Sequence, residues 1–199
     1  MGFSTVIKNT PGFKDEITLY VDGASRIKAN KIDENTLGAY SYYLEFSGRE
    51  KSDSTVTLGK TNNYNEIKAL YWGLSQLKRF NIPVVAYSDS GYVVNCIQQG
   101  WWKKWKNNGW NKEGGLKNAQ QWQLLIDKIL EFDSFRIEKV KGHANNEFNN
   151  LVDKLNNEAM DNYLNGKEVR LERGWYENWY ILWNIIWTLW RCIQWFDWI

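Results

Sequence analysis

Hydrophobic and polar positions nearly alternate along EITLYVDGAS, a run of β-branched and aromatic residues broken by Gly23, and this predicts a strand. AYSYYLEFSG and STVTLGK carry the same period, and a polar GREKSD turn between them predicts an antiparallel meander. The period then changes. In YNEIKALYWGLSQLKRF the residues Ile67, Leu70, Tyr71, Leu74, Leu77 and Phe80 recur at three- and four-residue steps, a helical stripe. Pro83 introduces VVAYSD, a short apolar run of the kind found inside a sheet. GYVVNCIQQG and WWKKWKNNGW read as short helices, AQQWQLLIDKILEF as an amphipathic helix, SFRIEKVKG as a strand and FNNLVDKLNNEAMDNYL as a last helix. The order β-β-β-α-β-α-α-α-β-α predicts an α/β fold with helices covering a mixed sheet.

The chain of 199 residues suffices for one substantial core with an appendage. A domain over 1–165, a linker over 166–174 and a helical tail over 175–199 are the expected divisions. The net charge of +2 gives no global signal for nucleic acid, so any such surface has to be local. Cys96 and Cys192 lie far apart without ligand spacing, which fits a reducing compartment. The opening MGFSTVIKNTPGF lacks a secretory pattern, and the expected location is cytoplasmic.

Four acids stand in unusual places. Asp22 closes the first strand, Glu66 sits in the first turn of the first helix, Asp89 ends the fourth strand, and Asp153 lies early in the last helix. Each alone reads as a cap or a compensation of the helix dipole, worth about 0.3–1 kcal/mol. Together they read differently. If the first and fourth strands are neighbours, both aspartates reach one rim of the sheet, where converging carboxylates repel unless divalent cations hold them. His143, the only histidine, precedes the last helix in KVKGHANNEFNNLVDKL; alone it reads as filler rather than as a catalyst.

YVDGAS, TNNYNE, YSDSGYV, the WKNNGW segment and VKGHANNEFNNLVDKL stand in the order and spacing of the type 1 ribonuclease H family, which this chain resembles from Glu16 to Tyr163. The resemblance implies a five-stranded mixed sheet, with three antiparallel strands followed by two parallel ones. It also implies an endonuclease that cuts the RNA strand of RNA–DNA hybrids by two-metal-ion hydrolysis, leaving 5′-phosphate and 3′-hydroxyl ends. In its terms Asp22, Glu66, Asp89 and Asp153 hold two Mg²⁺ ions, with Mn²⁺ as a substitute, and His143 assists proton transfer or product departure. Asn149 follows at the family's spacing and supports Asp153 or the loop. Asn62 contacts 2′-hydroxyls of the RNA, and Thr61 and Asn118 grip a DNA phosphate. The segment WWKKWKNNGWNK corresponds to the family's basic handle. Lys103, Lys104, Lys106 and Lys112 attract phosphates there, Trp105 faces the DNA channel, and Trp110 packs.

Two features depart from the family. The first DG motif is followed by a long polar loop, SRIKANKIDENTLG, so no binding residue is carried over there. The stretch from Arg173 holds more than half of the chain's 13 tryptophans, with Trp175, Trp179, Trp183 and Trp187 at four-residue steps. Its uncharged run is too short to span a bilayer. Docking onto protein, whether this chain or a partner, is favoured over a membrane interface, because Arg191 is the only cation on its polar face. Two rival functions stay open: a hybrid- or duplex-RNA-binding module without cleavage, and another nuclease of the same superfold, such as a reverse transcriptase's nuclease domain or a junction resolvase.

Overall fold

The structure, a computed structural model, describes residues 16–27, 31–141 and 146–172. The elements follow the predicted order. They are β1 (Ile17–Ser25), β2 (Leu37–Phe46), β3 (Arg49–Leu58), α1 (Asn62–Ser75), β4 (Val84–Ser88), α2 (Gly91–Gln98), α3 (Trp101–Asn107), α4 (Ala119–Ile129), β5 (Phe135–Lys139) and α5 (Glu147–Leu164). The sheet order is β3-β2-β1-β4-β5. Strands β1 to β3 are antiparallel, while β4 and β5 join in parallel to β1 and to each other.

Leu19 and Val21 of β1, both fully buried, share one core with Ile67, Leu70 and Leu74 of α1 and with Trp122 and Leu125 of α4. Helix α5 instead covers β1, β2 and β3, where Ala159 and Met160 meet Leu37, Ala39 and Val56. Burial of this kind contributes about 25 cal/mol per Å² of apolar surface, and it is the period of each element that decides which side chains receive it.

Three boundaries differ from the sequence reading. The β2–β3 turn is only Ser47-Gly48, with Phe46 paired to Arg49. Both turn residues have positive φ, 51° and 74°, as a two-residue hairpin of matching twist requires. The polar REKSD belongs to β3, where its first residues are exposed. Helix α1 stops at Ser75, short of Phe80, whose ring instead meets Phe132 edge-on.

Of the stretch read as a linker, the part up to Glu172 is seated on the sheet. The Val56 N–H donates to the Arg170 carbonyl and the Glu172 N–H to the Val56 carbonyl, both at 2.8 Å, which adds a short parallel stub to the β3 edge. Successive side chains go to opposite faces. Val169 joins the apolar cluster under α5, whereas Arg170 lies over the Trp72 ring and pairs with Asp53. The Glu172 carboxylate accepts from the Lys68 ammonium at 2.8 Å and from the Tyr64 hydroxyl. Glu172→Gln removes the charge that Lys68 needs in a half-buried setting, at a cost of about 1–3 kcal/mol. The thermal midpoint should fall by about 2–4 °C per kcal/mol for a domain of this size; an unchanged midpoint would show that the clasp is not formed in solution. The tryptophan-rich stretch that follows lies outside the described residues. Among the described residues no helix is long and apolar enough to cross a membrane.

Candidate active site

Parallel pairing of β1 with β4 ends at Tyr20↔Tyr87, and two residues further along each chain stand Asp22 and Asp89. Asp22 does not end its strand as expected. Strand β1 continues to Ser25, still paired with β2, after β4 has stopped at Ser88. The carboxylates therefore meet where the sheet splits, a place that open α/β sheets leave free for ligands.

Glu66 reaches the same place because α1 touches β1 backbone to backbone. A Cβ on Gly23 would lie 2.3 Å from both Asn65 C and Glu66 N, so only glycine permits the contact. Asn65 secures it. Its amide donates to the Ala24 carbonyl at 2.7 Å and the Ser25 hydroxyl at 2.9 Å, and its oxygen accepts from the Thr57 hydroxyl at 3.0 Å. One fully buried side chain thus ties α1 to β1 and β3 beside Glu66. Nothing in its sequence surroundings singles it out.

Asp22, Glu66 and Asp89 each place one oxygen within 4.8 Å of the others. Asp22 is 7% and Glu66 5% exposed, and Asp89 opens to solvent. Burial first, and the charge of Asp89 second, raise the Asp22 carboxyl to about 6; hydrogen bonds from Asn156 and the Gly23 N–H pull the other way. Glu66 is driven well above the ordinary carboxylate range by burial and then by Asp22 and Asp89. Its Oε2 is buried with no hydrogen-bond partner among the described residues. Such a group has either a proton or a cation. Three converging carboxylates with an unanswered oxygen fit a hard divalent ion.

Asp153, in the second turn of α5, stands outside this closest trio but near enough for its charge to raise Asp22. The amide of Asn157 holds its carboxylate at 3.2 Å. Asn149 is buried in the first turn of the same helix. His143 lies outside the described residues.

The predicted substrate contacts fall in two groups. Thr61 caps α1, accepting from the Tyr64 N–H at 3.1 Å, and shares with Asn118 a surface cavity of about 400 Å³ also lined by Lys60 and Gln121. Asn118 sits at φ 57°, a left-handed conformation that asparagine tolerates. Asn62, exposed beside it, approaches Glu66 at 3.5 Å. On α3 the lysines Lys103, Lys104 and Lys106 are all exposed, Lys106 reaching Asp127 at 3.4 Å. Trp105 differs from expectation. It is 8% exposed and meets the Trp122 ring edge-on within the core, so it offers no free face for a base; Trp101, 44% exposed, is the aromatic that α3 presents to solvent. Trp110 packs half-buried against the core, as expected.

A model of the RNase H family matches residues 14–161. This chain belongs to the type 1 ribonuclease H family. A Ribonuclease H of Clostridium botulinum is 40% identical over 150 residues, covering 74% of this chain and 97% of the relative. Among solved structures, LC9-RNase H1, a type 1 RNase H with the type 2 active-site motif, superposes with a TM-score of 0.66 at 19% identity, over 85% of this chain and 82% of that one. LC11-RNase H1, solved with an RNA/DNA hybrid, gives a TM-score of 0.57 at 21% identity, over 75% and 99%. At these identities the two structures speak for the ribonuclease H fold, which the strand order already displays.

Proposed function

We infer that the chain is an endonuclease that hydrolyses the RNA strand of RNA–DNA hybrids and leaves 5′-phosphate and 3′-hydroxyl ends. The observation that carries this reading is the converging trio Asp22, Glu66 and Asp89 at the split of a ribonuclease H sheet. Asp153 completes the set from α5. The chemistry that a pair of Mg²⁺ ions supplies in such a site, with Mn²⁺ as substitute, is activation of the attacking water and neutralisation of charge at the leaving oxygen. The four carboxylates hold and orient, and the raised proton affinity of Asp22 makes cation binding compete with protons as pH falls toward 6. His143 would carry a proton near the scissile phosphate, a task suited to a group that titrates near neutrality.

Recognition divides along the strands of the substrate. Asn62, at the mouth of the site, suits the 2′-hydroxyls that mark RNA. The cavity between Thr61 and Asn118 suits one DNA phosphate, with Lys60 at its rim. The α3 lysines add charge without sequence preference. For the Lys103→Ala/Lys104→Ala pair we expect several-fold weaker hybrid binding and a salt dependence shallower by about one for each phosphate no longer neutralised. Binding with an unaltered salt slope would remove α3 from the interface.

A binding module without cleavage has no use for buried carboxylates that repel one another, and this weighs against that alternative. The assay that decides presents labelled hybrid, duplex RNA and duplex DNA to the protein with Mg²⁺ or Mn²⁺. Cleavage of the hybrid alone is expected. Intact hybrid with either metal refutes the enzyme, and hybrid binding without cleavage would favour the module.

A further inference from the structure

Helix α5 buries Val152, Ala159 and Met160 against the sheet, and Asn156 occupies the same buried stripe. Its side chain is fully buried. The amide Nδ2 donates to Asp22 Oδ2 at 2.7 Å, joining residues 134 positions apart. The Oδ1 at the other end of that amide is buried without a partner among the described residues. Leaving a buried acceptor unmatched costs about 1–3 kcal/mol. An apolar side chain of similar size would fill this slot without that cost and would suit its neighbours. What the asparagine contributes therefore comes from its donor end.

That donor is aimed at one of the three carboxylates of the cluster. A metal-binding carboxylate with rotational freedom must give it up when the ion enters, and a hydrogen bond that fixes the rotamer beforehand reduces that cost. Asn156 is suited to this because its amide has no charge. It holds Asp22 without adding a fifth anion to a site already strained by repulsion. The neighbouring Asn157 holds Asp153 in the same way, but from an exposed position on the helix surface.

We propose that Asn156 is a positioning residue of the metal site, fixing the Asp22 carboxylate from within α5 in the orientation that a divalent cation requires. The inference rests on the metal-site reading above and reaches past it to a residue outside the carboxylate set.

The test is direct titration of the full chain with Mn²⁺ in the absence of substrate, reading free Mn²⁺ by electron paramagnetic resonance. Wild type is compared with Asn156→Leu, Asn156→Ala and Asn156→Gln, and circular dichroism in EDTA checks each fold. Folded Leu and Ala variants should bind Mn²⁺ about 10–100-fold more weakly, as loss of an outer-shell partner does. The Gln variant, which keeps a donor, should recover part of the loss. The Mn²⁺ concentration for half-maximal hybrid cleavage should rise in step with the weaker binding. Folded Leu and Ala variants with affinity within about twofold of wild type overturn the proposal, given the 10–100-fold expected of such partners. So does loss of fold in both, which would make the amide purely structural. If wild type itself binds no Mn²⁺, or Asp22→Asn does not weaken binding, the metal site fails instead.

Discussion

Asp89→Asn should leave a folded protein that binds RNA–DNA hybrid and cuts it about 10³-fold more slowly, or not at all. The substitution keeps the size and shape of the side chain and removes one anionic oxygen from the trio. A hard cation loses a preferred ligand, and with it several kcal/mol of charge stabilisation in the transition state. At 1.36 kcal/mol per tenfold, that is about three orders of magnitude. Folding should not suffer, because the charge of Asp89 raises the carboxyls of both Asp22 and Glu66, and neutralising it relieves them. Parallel loss of hybrid binding would give Asp89 a structural part. Cleavage within tenfold of wild type would place the reaction elsewhere.

The acids were legible in the sequence because each interrupts an apolar run or stands where a strand yields to a helix. The convergence of Asp22 and Asp89 needed only the adjacency of β1 and β4. What stayed hidden depends on partners remote in sequence. Asn65 meets Ala24 and Thr57, and Asn156 meets Asp22, so the residues beside them do not name their partners. One faint signal existed for Asn156: it falls on the stripe of Val152, Ala159 and Met160, where a polar residue is out of place. The choice between Trp101 and Trp105 was equally closed to inspection. In a helix this short both can face inward, and the ring of Trp122 on α4 selects Trp105. The start of β3 was hidden for the opposite reason. Its first four residues are all exposed and polar, so no apolar alternation reveals them.

Asp22→Asn should abolish cleavage as completely as Asp89→Asn, yet raise the stability of the metal-free protein at neutral pH. In the unfolded chain this carboxyl titrates near its ordinary value of 3.8, and in the fold near 6. Between those values the folded state binds more protons than the unfolded one, so stability falls as pH rises through the window and stays low above it. Asparagine has no proton to lose. The gap between variant and wild type should therefore be small near pH 4, widen toward pH 6 and then level off. Two pK units at 1.36 kcal/mol each set a ceiling of about 3 kcal/mol. The bond from Asn156 survives, since the new amide oxygen can accept it. Mg²⁺ should reverse the order. A ligand that binds only the folded state stabilises it by RT ln(1 + [L]/Kd), a gain open to wild type and largely closed to the variant. Thermal denaturation from pH 4 to 8, in EDTA and in Mg²⁺, follows both effects. A gap in EDTA that does not change with pH would mean that Asp22 titrates as an ordinary surface carboxylate. The case for a cation held by buried, mutually repelling acids would then lose its physical basis.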